Sequence, residues 1–400
     1  MLAKTILARV SSPTGTFLTT WKDIDFRGYT KQLNGGPSEC IIDYAVPFDY
    51  DGADLREGND VELVISDADT QLADVEDGTY GARPIYRGYI SLIERTIDGT
   101  SERVRVHLLG YYTLLSLDVL KSGSQTTLYS VDPAGLTTTS GDLEPADVGL
   151  MARTVLDRFN TEHGTGKVFY DVDDVPDTGS DATYVFNQKT YREALDILKS
   201  LAPANVYWYV DETGRFSFKA PSSTPDHRFI FGRHFSKVYV DRSLEKVRNV
   251  VLIWDGDTTY KQYTDPASIA LYGRRTERIN DYGISDVDAA NALGAKFLAE
   301  NKEPGVKLTC TIVDNNNEQG LGYDIESIQP GDTCSMQGFS STLSDIFRDN
   351  MLITSVRYSL GSVEIEVELN KSGLVDVQAR QGRAIADIGS GGLGVPATYS

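Results

Sequence analysis

Apolar and polar positions alternate most clearly over residues 363–369, where Val363, Ile365, Val367 and Leu369 fall on one face and Glu364, Glu366 and Glu368 on the other. That period of two predicts a half-buried antiparallel strand with a wet, acidic side. Runs at 333–336 and 351–358 precede it, Gly361-Ser362 turns the chain into it, and Pro330-Gly331-Asp332 opens the set, so residues 330–369 read as a β-meander. The same order occurs earlier: Gly58-Asn59-Asp60 leads into 61–65, then 86–93, then 104–109. Gly, Asp, strand, long loop, strand, turn, strand in both places reads as an internal repeat of a small β-barrel. Two unrelated meanders would share that order too.

The remaining pattern fills in around these two units. Residues 1–10 read as a first strand, Asn34-Gly35-Gly36-Pro37 as a turn before a strand at 41–46, and 110–115 as a short helical turn closing the first barrel. Residues 121–144, rich in Ser, Thr, Gly and Asp, read as a linker or exposed loop. A helix is expected from Pro145, since Val148, Met151, Val155 and Phe159 recur at spacings of three and four. An acidic loop follows at 171–181. Thr190 and Glu193 then spell a capping box ahead of Ala194, Leu198 and Leu201, and a hairpin turns at Asp211-Glu212-Thr213-Gly214. Residues 247–254 form the most apolar strand, and a third helix from about Ser285 uses Ala290, Leu293, Phe297 and Leu298.

The fold class expected is mainly β with an α+β insert: two similar small β-barrels in one chain plus an α+β domain. The boundaries are 1–120 for the first barrel, 121–230 for the α+β domain, and 231–264 for the start of the second barrel. A helical insert at 265–305 packs with the α+β domain, 306–372 completes the second barrel, and 373–400 is a flexible Gly- and Ser-rich tail that a protease would clip.

Charge narrows the function. With 38 basic against 58 acidic residues the net charge is -20, which repels nucleic acid and anionic membrane and points to protein partners. Cys40, Cys310 and Cys334 are odd in number and widely spaced, which fits neither a disulfide framework nor a zinc knuckle. Arg9 interrupts the first apolar run before it reaches signal-peptide length, and no stretch approaches the roughly 20 apolar residues of a membrane span.

No motif brings chemistry with it. Residues 389–394 spell G-x-G-x-x-G, but no strand precedes them and Pro396 follows where a helix should begin. Residues 314–320 resemble a calcium loop with its turn Gly displaced and Ile325 in place of the bidentate Glu. Asp67, Asp69, Asp171, Asp173 and Asp174 fail the same test and read as solvated loops. His107, His163, His227 and His234 show no metal spacing, and no nucleophile elbow, zincin or phosphate-loop run occurs. The expected site residues are therefore none for catalysis, cofactor or metal, with no cofactor implied. Tyr207, Trp208 and Tyr209 could line a sugar site with a carboxylate pair brought in by the fold, or simply alternate between core and surface.

Gly88-Tyr89-Ile90 with Gly110-Tyr111, then residues 194–198 running into 206–214, then Arg248-Asn249-Val250-Val251, Pro330-Gly331-Asp332 and residues 352–356 give an order of elements that resembles tail-tip hub proteins of long-tailed bacteriophages, related to the contractile-tail baseplate hub. The likeness covers roughly residues 1–370. It implies two barrels per chain, an intervening α+β domain and a homotrimeric ring without enzymatic activity, which joins a hexameric distal tail ring to the tip and lines the DNA exit channel. The implied partners are that ring protein, the tape-measure protein and tip or receptor-binding fibre proteins, with DNA passing but not bound and no membrane insertion. The implied place is the virion tail tip, assembled in the host cytoplasm. Glu364, Glu366 and Glu368 are candidates for a wall that repels DNA. The rival reading is a virion-associated carbohydrate-binding or carbohydrate-degrading protein.

Overall fold

The computed structural model describes residues 5–45, 50–66, 72–78, 84–98, 101–120, 129–130, 146–164, 166–182, 185–186, 189–203, 206–254, 259–280, 287–313, 323–338 and 351–369. The expected linker at 121–144 lies largely outside these residues. The calcium-like loop at 314–320, Asp67, Asp69, Pro145 and the tail at 373–400 lie wholly outside them.

Strands dominate, as the alternating patterns require. The first segment runs β1 (Thr5–Ser11), β2 (Phe17–Trp21), β3 (Ile24–Phe26), β4 (Tyr29–Gln32), β5 (Cys40–Tyr44), β6 (Asp60–Ser66), helix α1 (Leu72–Asp77), β7 (Tyr86–Asp98) and β8 (Ser101–Gly110), and closes on a 3-10 turn at Tyr111–Ser116. Seven of these strands form one sheet in the order β2-β1-β6-β7-β8-β5-β3.

The middle segment holds β9 (Tyr129–Ser130), β10 (Ala146–Asp147), α2 (Val148–His163), β11 (Asp181–Ala182), β12 (Val185–Phe186), α3 (Tyr191–Leu201), β13 (Tyr207–Val210) and β14 (Phe216–Lys219). Helix α2 starts at Val148 and not at Pro145. Asp147 caps it, its carboxylate accepting from the amides of Gly149 and Leu150, and the apolar stripe Val148, Met151, Val155 and Phe159 is buried. Both bonds of the Thr190/Glu193 capping box form at the start of α3. The hairpin β13–β14 departs from the alternation expected at Tyr207–Tyr209. All four β13 residues are buried because both of its faces are covered. Trp208 packs in the α2/α3 core with its indole N–H donated to Asp196 at 2.8 Å, while the Tyr207 and Tyr209 hydroxyls reach Gly331 and Gln329 beyond the second sheet's edge.

The last segment comprises β15 (His227–Ile230), β16 (Val238–Ser243), β17 (Val250–Trp254), β18 (Thr259–Thr264), α4 (Pro266–Tyr272), β19 (Thr276–Asn280), α5 (Val287–Asn301), β20 (Gly305–Val313), β21 (Thr333–Gln337), β22 (Met351–Ser359) and β23 (Ser362–Leu369). The second large sheet has the order β15-β21-β22-β23-β20-β16, with β4 from the first segment added on β22.

Three strand pairings cross the expected boundaries. β4 leaves the first sheet to pair with residues 355–358, since burying Tyr29 and Lys31 needs the wall that β22 offers. β15, placed with the α+β domain at 121–230, lies parallel to β21 in the second sheet. β17 and β18, placed at the start of the second barrel, instead join β19 in a separate three-stranded sheet that α5 covers, its small core made of Val251, Ile253, Ala290 and Leu293. The two large sheets also share one continuous core. Tyr29 bridges them, its ring 4.9 Å from Tyr86 of the first and 5.7 Å from Tyr358 of the second.

One side chain ties the three-stranded insert to the middle segment. Lys296 of α5 is buried, and its ammonium donates to the carbonyls of Lys199 and Ala202 at the end of α3, capping groups the helix cannot satisfy itself. Burial pulls its pKa down to about 8. Between that value and the ordinary 10.5 the unfolded chain holds the proton that the folded chain has released, so this residue makes stability rise with pH across the window. Lys296→Met should abolish that rise, about 1–2 kcal/mol. Parallel unfolding curves for the two proteins from pH 7.5 to 10 would show the assignment to be wrong.

Candidate functional site

The four histidines are each engaged locally. His107 sits between Glu39 at 2.7 Å and Glu94 at 3.3 Å. Burial works against its charge, but the two carboxylates outweigh it and raise its pKa. His163 stacks on Phe159 and faces Asp118 at 3.4 Å. With Glu162 these are the three metal-ligating side chains that come within 4.8 Å of one another among the described residues. Glu162 already accepts from the Tyr191 hydroxyl at 2.8 Å and faces Arg158 at 3.5 Å, and Asp118 accepts from the Val119 amide, so the trio serves to fasten α2 to α3. His227 is held between Asp332 at 2.9 Å and Tyr323 at 2.6 Å. His234 accepts from the Ile230 amide, and burial lowers its pKa. The three thiols are buried, which raises the pKa of each, that of Cys310 to about 12, and so removes them as nucleophiles.

The acidic residues read as solvated loops divide. Asp171 and Asp173 are exposed, but Asp174 is buried and binds both Arg215 and Lys219, which pins the loop to β14. The expected acidic wall also changes. Glu366 pairs with Lys307 at 2.8 Å, and Glu364 stands opposite Arg357 in the ladder. The side chain of Glu368 lies outside the described residues. A groove of about 650 Å³ beside β3, lined by Ile6, Leu7, Phe26, Leu72 and Leu360, offers apolar walls with Thr5, Lys22, Asp23, Asp25 and Ser66 as its polar groups.

What the sequence did not reveal is a polar junction where all three parts of the chain meet. Lys31 of β4 donates to Glu212 of the β13–β14 turn at 3.1 Å and to Gln329 at 3.0 Å, and Gln329 donates back to Glu212 at 2.8 Å. Tyr209 completes the set with a 3.0 Å bond to Gln329. Lys31 and Glu212 are each 3% exposed, so the pair is desolvated and depends on this full set of partners. Its role is to fix how the first sheet, the α+β part and the second sheet sit together.

The internal repeat holds at the level of single hydrogen bonds. Gly58 donates to the carbonyl of Ile90, whose amide donates to Asn59. Gly331 donates to the carbonyl of Ile353, whose amide donates to Asp332. Both glycines have positive φ, 86° and 95°. A β-bulge follows in each copy, between Ile90 and Leu92 and between Ile353 and Ser355. The neighbouring strands agree as well: β6-β7-β8-β5-β3 in one sheet matches β21-β22-β23-β20-β16 in the other. Cys40 and Ile42 face Leu108 and Val106 in the first, as Leu308 and Cys310 face Val367 and Ile365 in the second. Five strands, a bulge and a glycine turn recurring in register are a duplication and not two chance meanders.

The overall fold is shared with solved structures. The 43 kDa tail protein of prophage MuSo2 from Shewanella oneidensis superposes with a TM-score of 0.59 at 13% identity, over 92% of this chain and 99% of that one. The chain has the fold of prophage tail proteins. A tail protein from Neisseria meningitidis MC58 gives 0.55 at 13% identity over 92% and 98% of the two chains. The prophage tail protein gp18 from Listeria monocytogenes EGD-e gives 0.50 at 12% over 96% and 99%. No family model and no curated protein matches the sequence.

Proposed function

We propose that the chain is a structural protein of a bacteriophage tail, the hub of its tip or baseplate, and that it works by assembly and not by catalysis. The observation that carries this is the in-register duplication within one chain of the prophage tail-protein fold. A closed ring of three copies would present six like sheets, two from each, to a hexameric tail ring, while its own threefold symmetry meets the tip. The partners in this reading are that hexameric ring protein, the tape-measure protein and tip fibres, and the place is the virion, assembled in the host cytoplasm. DNA would pass through the ring without being held. Three copies bring sixty excess negative charges, three times the twenty of one chain, and phosphates are repelled within about 8 Å of such a surface at physiological salt.

The carbohydrate reading loses its platform, since Trp208 is fully buried and both flanking tyrosines are turned into polar seams. Native mass spectrometry of the purified chain over a concentration series tests the ring: the expected species is a trimer. A chain that remains a monomer, or stops at a dimer, contradicts it.

A further inference from the structure

The two copies of the repeat differ in one respect that bears on how copies of the chain join. Beyond its bulge, β22 is paired on its outer edge by β4, with Ser355 opposite Gln32, Val356 opposite Lys31 and Arg357 opposite Thr30. The amide of Leu33 donates to Thr354 at 2.9 Å, which sets alternate residues of β22, Thr354 and Val356, toward β4. The repeat places Leu92, Ile93 and Glu94 of β7 at the positions of Ser355, Val356 and Arg357, since Leu92 and Glu94 face His107 and Arg105 of β8 as Ser355 and Arg357 face Glu366 and Glu364 of β23. No strand among the described residues pairs with 92–94 on the outer edge. The backbone of Ile93 therefore points its donor and acceptor outward, and Leu92 is 47% exposed. An open edge of this kind is a template for strand addition.

We propose that this edge is filled by a strand from a second copy of the chain, donated by the insert between β16 and β20. The repeat itself names the donor. β4 leaves the first sheet between β3 and β5, and the strands matching those two are β16 and β20, which bracket the three-stranded sheet of the insert. Applied once, the relation between the two units carries β4 onto β22 within the chain. Applied again, it carries the insert onto β7 of the next copy. Of the insert's two edge strands, β18 is tied to α5 by bonds from Lys261 and Tyr263 to Asn291, and β19 forms the other edge. β19 is five residues long, enough to cover the open stretch. The same operation repeated around the ring closes it with six strand additions, alternately within and between chains.

This inference rests on the ring reading, and amide hydrogen exchange separates the two. The peptides covering 91–97 and 276–280 are followed in the trimer and in dilute monomer. Exchange at both is expected to slow by about a hundredfold on assembly, as for amides entering a ladder. A trimer that forms while 91–97 exchanges as in the monomer overturns strand addition and leaves the ring standing. Protection at 91–97 without protection at 276–280 overturns β19 as donor. A chain that never forms a trimer overturns the ring and this inference together.

Discussion

Lys31→Met should cost about 3–5 kcal/mol of unfolding free energy, the scale for stripping one partner from a buried ion pair. Glu212 is 3% exposed and would lose the cation buried beside it, and the Gln329 carbonyl would lose one of its donors, keeping that of Tyr209. Glu212→Leu alone should cost a similar amount, since it leaves the buried ammonium bonded to Gln329 but without its counter-charge. The double variant Lys31→Met/Glu212→Leu should recover most of the loss, because two apolar side chains of similar volume carry no desolvation penalty. Urea unfolding of the four proteins reads this directly. A single variant that costs under about 1 kcal/mol, or a double variant no better than either single, would show that the junction does not hold the three parts together.

The repeat yields a second large effect through its two glycines. Gly331 has φ 95°, and a Cβ there would lie 2.4 Å from Cε2 of Tyr207, a ring that is buried and anchored by its hydroxyl on the Gly331 carbonyl at 2.9 Å. Gly331→Ala therefore adds overlap with a side chain that cannot withdraw to the ordinary left-handed strain, and should cost about 3 kcal/mol or more. Gly58 has nearly the same φ, 86°, but its nearest neighbour to a Cβ is Pro13 at 3.9 Å. Gly58→Ala should cost only the backbone term, about 1–2 kcal/mol. Equal losses at the two sites, read from their unfolding midpoints, would mean that the packing of β13 against the second sheet is not as described.

The parts of this fold legible in the sequence are those set by local chemistry. Period-two alternation marked the strand that became β23, the recurring order of Gly, Asp, strand, loop and turn marked β6, β7, β8 and β22, and the Thr190/Glu193 spacing marked the start of α3. The parts that were not legible depend on what the chain meets at a distance. β4 is a four-residue strand, and nothing in Tyr29-Thr30-Lys31-Gln32 tells that its partner lies more than 300 residues away. Strand β13 was read as alternating because Tyr and Trp suit a half-buried surface, whereas a strand covered on both faces has no polar side to show. Asp174 looked like one more solvated acid until the fold brought Arg215 and Lys219 to it. The junction combines Lys31, Glu212 and Gln329, whose separations of 181 and 298 positions from Lys31 exceed any motif.

Duplication is what connects these details to assembly. A repeat whose turns, bulge and neighbour strands recur in register gives the chain two equivalent building units, and in one of the two no strand among the described residues fills the outer edge. The most direct measurement is an electron-microscopy reconstruction of the purified assembly. The account predicts a ring of three chains in which the β1–β8 sheet and the β15–β23 sheet alternate at one radius around a near-sixfold axis. A ring whose two sheets lie at different radii, or an assembly with no closed ring, would contradict it.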